Sequence, residues 1–340
     1  MTKIAVVIYN LGGPDSPEAV RPFLKNLFSD PMILRVPAPV RWFLSWFIAW
    51  RRAPVAREIY AQIGGRSPIL PETEKQADAL QAALGPDFKV FIAMRYWHPF
   101  ADAVARDVAA WTPDRVILLP LYPQFSTTTT ESFTMAWAPA AASAGLDVPT
   151  AKICCWPEAD GFIDAVTRAT DAAIAELPAD APYRILFSAH GLPKKIVETG
   201  DPYASHVERT AAAVRPRLAK PDADYVVCYQ SRVGPMEWLQ PYTEDEIKRA
   251  GTDGVALVVV PVAFVSEHSE TLVELDIEYA ELAHEAGVPH YVRVPTVNAD
   301  AAFIETLATM VRNTPETGTG PAGAGCSPEH GDCPCIKAAT

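Results

Sequence analysis

His190 follows the apolar run Ile185-Leu186-Phe187 and precedes Gly191, while His268 sits in Ser266-Glu267-His268-Ser269-Glu270, at the head of a segment carrying Glu267, Glu270, Glu274 and Glu278. An imidazole at the end of an apolar run can accept a proton near neutral pH or bind a metal, and it can equally be a hydrogen-bonded structural histidine. The four glutamates repeat at the interval that places side chains on one face of a helix, opposite Leu272, Leu275, Tyr279 and Leu282. Like charges four apart repel by a few tenths of a kcal/mol per pair. Facing water, such a row is a solvated helix face with acids suited to a helix start. Facing a cleft, it is a path for a divalent cation, since hard oxygen donors bind weakly enough to pass a metal onward.

A second set of chemical groups lies at the end of the chain. Cys326, Cys333 and Cys335 fall in the Gly/Pro-rich stretch from Gly318 to Cys335, which is too polar to build a core. Thiolates in that setting suit zinc or an iron–sulfur cluster, with Cys154, Cys155 or His330 as candidates for a fourth ligand; a disordered tail with free thiols is the competing reading. Other loops speak against nucleotide chemistry. Asn10-Leu11-Gly12-Gly13-Pro14 lacks the spacing of a dinucleotide fingerprint and reads as a turn, no Walker motif occurs, and Ser126 to Thr130 reads as helix-capping residues or an anion contact.

These groups need a scaffold, and short β-branched runs alternating with helical periods predict one of α/β class with parallel sheets. Strands are expected at Ile4 to Tyr9, Lys89 to Arg95, Arg115 to Leu119 and Thr150 to Cys154, then at Tyr183 to Ser188, Asp224 to Cys228, Val255 to Val260 and His290 to Val292. Four strands followed by four predict two similar halves, residues 1–155 and 156–313, with a tail at 314–340. Chemistry in such folds collects beyond the carboxyl ends of strands, where both histidines fall.

The chain has 340 residues and a formal charge of −12 with 49% apolar residues, which excludes a general nucleic-acid binder and a disordered chain. The start Met1-Thr2-Lys3 runs into an apolar segment too short for a secretory leader, and no apolar stretch reaches the ~18 residues of a membrane span, so a cytoplasmic location is expected. The segment Leu34 to Tyr60 is exceptional: Trp42-Phe43-Leu44-Ser45-Trp46-Phe47-Ile48-Ala49-Trp50 is flanked by Arg35, Arg41, Arg51, Arg52 and Arg57. That composition fits a helix in a membrane interface and also a buried helix of the first domain.

Taken together these loops resemble the ferrochelatases. The motifs that carry the likeness include Asn10-Leu11-Gly12-Gly13-Pro14, Tyr60 with Gly64-Gly65-Arg66-Ser67-Pro68, Met94-Arg95-Tyr96 with His98-Pro99, and Tyr122-Pro123-Gln124-Phe125-Ser126. They continue through Phe187-Ser188-Ala189-His190-Gly191-Leu192-Pro193, Gln230-Ser231-Arg232-Val233-Gly234-Pro235 with Trp238-Leu239, and Phe264 to Tyr279. The resemblance implies two Rossmann-like domains, each a parallel four-stranded sheet flanked by helices, forming a cleft in which ferrous iron enters protoporphyrin IX. It implies that His190 is the active-site histidine with Glu270 facing it, that His190, Glu270, His268 and Glu274 handle the metal or the protons, and that Leu11, Tyr60, Arg95, Tyr96, Ser126, Trp238 and Phe264 bind the macrocycle.

The same likeness makes 34–60 a lip on the inner membrane and a candidate dimer face. It makes the tail the site of a 2Fe–2S cluster held by Cys326, Cys333, Cys335 and Cys155, with Cys154 as the alternative to Cys155, because Thr127 stands where animal members supply a ligand. Competing readings are a chelatase acting on coproporphyrin or another tetrapyrrole, a porphyrin or haem carrier without turnover, and an iron–sulfur redox protein that binds a nucleotide.

Overall fold

The computed structural model describes residues 2–320. Its strands are β1 (Ile4–Asn10), β2 (Phe88–Met94), β3 (Arg115–Pro120), β4 (Thr150–Ile153), β5 (Tyr183–His190), β6 (Asp224–Gln230), β7 (Ala256–Pro261), β8 (Tyr291–Arg293) and β9 (Gly318–Gly320). The principal helices are α1 (Val20–Phe28), α2 (Ala38–Ala61), α3 (Ile69–Leu84), α4 (Ala101–Trp111), α5 (Ser132–Ser143), α6 (Asp160–Ile174), α7 (Lys194–Glu198), α8 (Tyr203–Val214), α9 (Thr243–Asp253), α10 (Tyr279–Glu285) and α11 (Ala301–Asn313). Contacts divide the described chain into two units, residues up to 154 joined by those from 307 onward, and residues 155–306.

In the first unit the sheet order is β2-β1-β3-β4-β9, and all pairings are parallel. β1 is buried along its whole length because it lies inside a sheet covered on both faces, which is why its sequence is a continuous apolar run. One face packs Ala5, Val7 and Tyr9 against Val104, Ala105 and Val108 of α4 and Phe133 and Trp137 of α5. The Tyr9 and Phe133 rings stack at 3.9 Å between centroids.

The sheet has five strands where four were expected. Gly318–Gly320 joins the edge of β4, so the start of the stretch expected to be too polar to build a core is paired backbone; glycine lacks a side chain but keeps the N–H and C=O groups that form a ladder.

The second unit has the order β6-β5-β7-β8, again parallel. Leu186, Cys228, Leu257 and Val259 pack against Ile247 and Ala250 of α9 and against Leu275, Tyr279 and Ala283. Trp156, Phe162 and Phe303 form a further aromatic cluster with centroids 5.3 to 6.2 Å apart. There the backbones come close: the Gly161 N–H donates to Thr306 Oγ1 at 3.1 Å, and a Cβ on Gly161 would lie 2.1 Å from the Ala302 oxygen.

Helix α2 resolves the two readings of the aromatic segment in favour of exposure. Its buried residues are the small Ser45, Ala49 and Ala53 together with Tyr60, and the cluster they join includes Val20, Phe23 and Leu24 of α1. Trp42, Phe43, Trp46, Phe47 and Trp50 are exposed. No helix of the described residues is long and apolar enough to cross a membrane.

Candidate active site

The order β6-β5-β7 means the chain leaves β5 toward one side and returns on the other, a topological switch point where the loops after β5 and β7 separate and leave a crevice. His190 is the last residue of β5, in register with Gln230 at the end of β6. The loop after β7 carries Phe264 and His268 and leads into Glu270–Glu278.

That segment is a π-helix, with the Tyr279 N–H donating five residues back to the Glu274 oxygen. The expected row of four glutamates on a regular helix is therefore corrected. Glu267 lies in the preceding loop and pairs with Arg293 Nη1 at 2.7 Å, Glu278 is exposed to solvent, and only Glu270 and Glu274 join the polar groups at the strand ends. Departures from α-helical pairing of this kind concentrate at functional sites because they redirect side chains locally.

Glu270 lies between two imidazoles. Its Oε1 is 3.8 Å from His190 Nε2 and its Oε2 is 3.4 Å from His268 Nε2. The His190 Nδ1 donates to the Gly191 carbonyl at 2.6 Å, so in the neutral ring the lone pair resides on Nε2, toward Glu270. The Tyr203 hydroxyl donates to the His190 carbonyl at 2.9 Å, and the Trp238 ring lies 6.3 Å away. His268 is buried beside Phe264, 4.6 Å between ring centres, and its Nδ1 has no hydrogen-bond partner among the described residues.

The two carboxyls are pushed in opposite directions. Burial would raise Glu270, but the charges of His190 and His268 and the hydrogen bond from His268 bring it down to about 2. Glu274 is raised, by burial first and then by the negative charge of Glu270, against the opposing hydrogen bonds of Ser231 and Gln230. Its Oε2 accepts from Gln230 Nε2 at 2.9 Å and Ser231 Oγ at 2.5 Å, and its Oε1 accepts from the Tyr279 hydroxyl at 3.2 Å. Gln230 Nε2 also donates to the Glu270 carbonyl at 3.2 Å, and Gln230 Oε1 accepts from Ser188 at 2.8 Å. Ser231 makes its contact from a left-handed backbone, φ 64°, a conformation of some energetic cost for a residue with a Cβ.

Two neighbouring carboxyls, one held ionised and one raised, are suited to different tasks: balancing positive charge and exchanging protons. The structure brings His190, Glu270 and His268 into a chain of contacts with Glu274 one step further along. Among the described residues no three His, Cys, Asp or Glu side chains converge as a metal cage. Gln230, Ser231 and Tyr203 had no individual role assigned from the sequence; for Gln230 and Ser231 their placement at or just after the end of β6 was the available signal, whereas Tyr203 opens α8 and carries no such signal.

In the first unit, Arg95 and Tyr96 follow β2, and Leu11, half-buried, follows β1. Ser126 is fully buried, and its hydroxyl accepts the Thr128 N–H at 3.1 Å, a capping contact. Tyr60 is buried in the cluster with α1. Cys154 and Cys155 are both buried just beyond β4, whereas Cys326, Cys333 and Cys335 lie outside the described residues.

Residues 3–314 match the family model described as Ferrochelatase. A protein named Ferrochelatase from Caulobacter vibrioides (strain NA1000 / CB15N) is 50% identical over 347 residues, covering 99% of both chains. One from Phenylobacterium zucineum (strain HLK1) is 50% identical over 345 residues, again 99% of each. One from Wolbachia sp. subsp. Drosophila simulans (strain wRi) is 49% identical and aligns over 92% of this chain and 100% of its own. Among solved structures, SirB from Bacillus subtilis with Fe3+ superposes with a TM-score of 0.55 over 92% of this chain and 95% of that one, at 12% identity, a likeness of fold.

Proposed function

The chain belongs to the ferrochelatase family and inserts ferrous iron into protoporphyrin to form haem, and we propose that His190, Glu270, His268 and Glu274 carry the proton and charge changes of that reaction. Insertion replaces two pyrrole protons by one Fe2+, so the site must take up protons while a dication enters. The observation that carries the reading is the Glu270 carboxylate between two imidazoles, with His190 Nε2 holding a lone pair toward it. His190 accepts a pyrrole proton at Nε2, and the adjacent carboxylate stabilises the resulting imidazolium. Glu274, its carboxyl raised by burial and by the charge of Glu270, is the next acceptor, oriented by Gln230 and Ser231. Ferrous iron travels along the same oxygen and nitrogen donors, since hard oxygen ligands bind weakly enough to pass a metal onward. Trp238 and Phe264 in this unit, and Leu11, Tyr60, Arg95, Tyr96 and Ser126 in the other, are assigned to the macrocycle by the family likeness.

The test is anaerobic incubation with protoporphyrin IX and Fe2+, with coproporphyrin III in parallel. His190→Ala is expected to lose ~10²-fold or more of the turnover, the range for removing a general base, with its circular dichroism unchanged. Near-normal turnover in that variant overturns the assignment. Turnover on coproporphyrin alone changes the substrate, and tight binding without turnover in the unmodified protein makes it a carrier.

Two further parts of the reading concern location and cofactor. The exposed Trp42, Phe43, Trp46, Phe47 and Trp50, with Arg51 and Arg52 beside them, fit the interfacial layer of a membrane at the cytoplasmic side, where an apolar porphyrin is delivered; the same face is the candidate dimer contact. A 2Fe–2S cluster fits the cysteines. β9 pairs Gly320 with Ile153, so the described chain ends beside the strand that leads into Cys154 and Cys155, six positions before Cys326. Cys326, Cys333, Cys335 and one of Cys154 and Cys155 would hold the cluster, which supplies a thiolate-anchored, redox-active centre tying the tail to the strand end.

A further inference from the structure

Two residues of the edge strand β8 hold the π-helix Glu270–Glu278. Tyr291 and Arg293 stand two apart in a strand paired with Leu257 to Val259 of β7, so their side chains share one face. The Tyr291 hydroxyl donates to the Leu275 carbonyl at 2.7 Å. That carbonyl is the next one after the five-residue bond from the Tyr279 N–H to the Glu274 oxygen, and it lies where π-helical pairing gives way to α10. Such a junction shifts the backbone pairing by one residue, and an acceptor there is satisfied from outside the helix.

Arg293 holds the same segment at two points. Its Nε and Nη2 donate to Asp276 Oδ1 and Oδ2 at 2.7 and 2.5 Å, a fork on a carboxylate of the π-helix, and its Nη1 donates to Glu267 Oε1 at 2.7 Å. The same Glu267 oxygen accepts the Thr296 N–H at 3.0 Å, just beyond β8. The side chains of Arg293 and Glu267 are 10% and 15% exposed, so this pair is largely shielded from water. His268, Glu270 and Glu274 all lie between Glu267 and Asp276 in the chain. One planar guanidinium thus ties together the two ends of the stretch that supplies three of the four groups assigned to the reaction.

We propose that Arg293 is a positioning residue for this site: by bridging Glu267 to Asp276 it holds the π-helix on β8 and keeps Glu270 and Glu274 beside the ends of β5 and β6. The inference rests on the reaction proposed above and adds to it a residue that acts through the segment carrying the two glutamates.

The test compares the unmodified chain with Arg293→Lys, which keeps the charge and lacks the planar fork that spans both carboxylates. Amide hydrogen exchange is followed by mass spectrometry, and kcat and KM are measured anaerobically with protoporphyrin IX and Fe2+. Loss of one charge-assisted contact is expected to speed exchange in residues 268–279 by ~10-fold, with β5 and β6 unchanged. Misplaced glutamates lower kcat by ~10-fold or more, with the porphyrin KM within about 2-fold. An unchanged kcat in the folded variant overturns the proposal. So does exchange that is unaltered, or that rises evenly through the unit as it would for a merely structural residue.

Should Arg293→Lys fail to fold, Asp276→Asn leaves the pair with Glu267 and weakens the other end of the bridge. It is expected to speed exchange in 268–279 by about 5-fold and to lower kcat by about 3-fold, and no change in either overturns the proposal. Absence of turnover in the unmodified chain overturns the reading of the reaction instead. Exchange then decides on Arg293: a rise confined to 268–279 supports the bridge, and unaltered exchange overturns it.

Discussion

Replacing Glu270 by Gln keeps the shape of the side chain and removes its charge from between His190 and His268. The two imidazoles hold the carboxyl down at about 2 against an ordinary 4.5, worth ~3 kcal/mol. The side chain is 29% exposed, and solvent screening brings that to roughly 2 kcal/mol. A carboxyl depressed in the folded state stabilises it fully above its unfolded value and loses the contribution as pH falls from 4.5 toward 2.

Glu270→Gln is therefore expected to cost roughly 2 kcal/mol at about pH 6, a shift of ~1 M in urea midpoint at a slope of ~2 kcal/mol/M, and clearly less at about pH 3. Urea titrations followed by tryptophan fluorescence at the two pH values measure it. A variant as stable as the unmodified chain at about pH 6, or more stable, refutes the reasoning, since it would mean that the cost of burying the charge exceeds the attraction of the two histidines.

Three other outcomes follow from the geometry. Gly161→Ala places a Cβ 2.1 Å from the Ala302 oxygen and 2.2 Å from Thr306 Oγ1. It should destabilise the protein by ~2 to 4 kcal/mol, visible as a fall in Tm, while an unchanged Tm would show that α6 and α11 can part without cost. Changing Trp42, Trp46 and Trp50 together to Ser removes much of the exposed apolar face of α2 and should weaken sedimentation with anionic phospholipid vesicles by ~10²-fold or more; equal binding would assign membrane contact elsewhere. Cys154→Ser and Cys155→Ser, each assayed for iron and acid-labile sulfide, should split into one variant that keeps the cluster and one that loses it, and a cluster retained in both removes the pair from the ligand set.

Much of the scaffold was legible because parallel strands are written locally. Ile4 to Tyr9 and Val255 to Val260 are unbroken apolar runs, and each lies inside its sheet, with ends within a residue or two of those observed. β5 runs two residues beyond its predicted end, to His190 itself, because pairing with β6 continues to Gln230. The density of tryptophan and phenylalanine in α2 announced an unusual face, and the small residues between them account for how one side packs while the aromatics remain outside.

The site was legible in part, since His190 and Glu270 could be named from the loops in which they fall. Periodicity could not show how the glutamates divide. A regular helix keeps Glu267, Glu270, Glu274 and Glu278 together, whereas the π-helix begins after Glu267 and leaves that residue to Arg293. Nor does any local pattern lead to Arg293, whose carboxylate partners lie 17 and 26 positions away.

Composition, apolar runs and loop residues thus determine the class of fold, the strands and the loops where chemistry is concentrated, because burial and backbone pairing act on neighbours in the chain. Which carboxylates meet which imidazoles, and which buried acid holds which arginine, was decided by tertiary structure, because those contacts exist only after distant strand ends are brought into register and water is excluded between them.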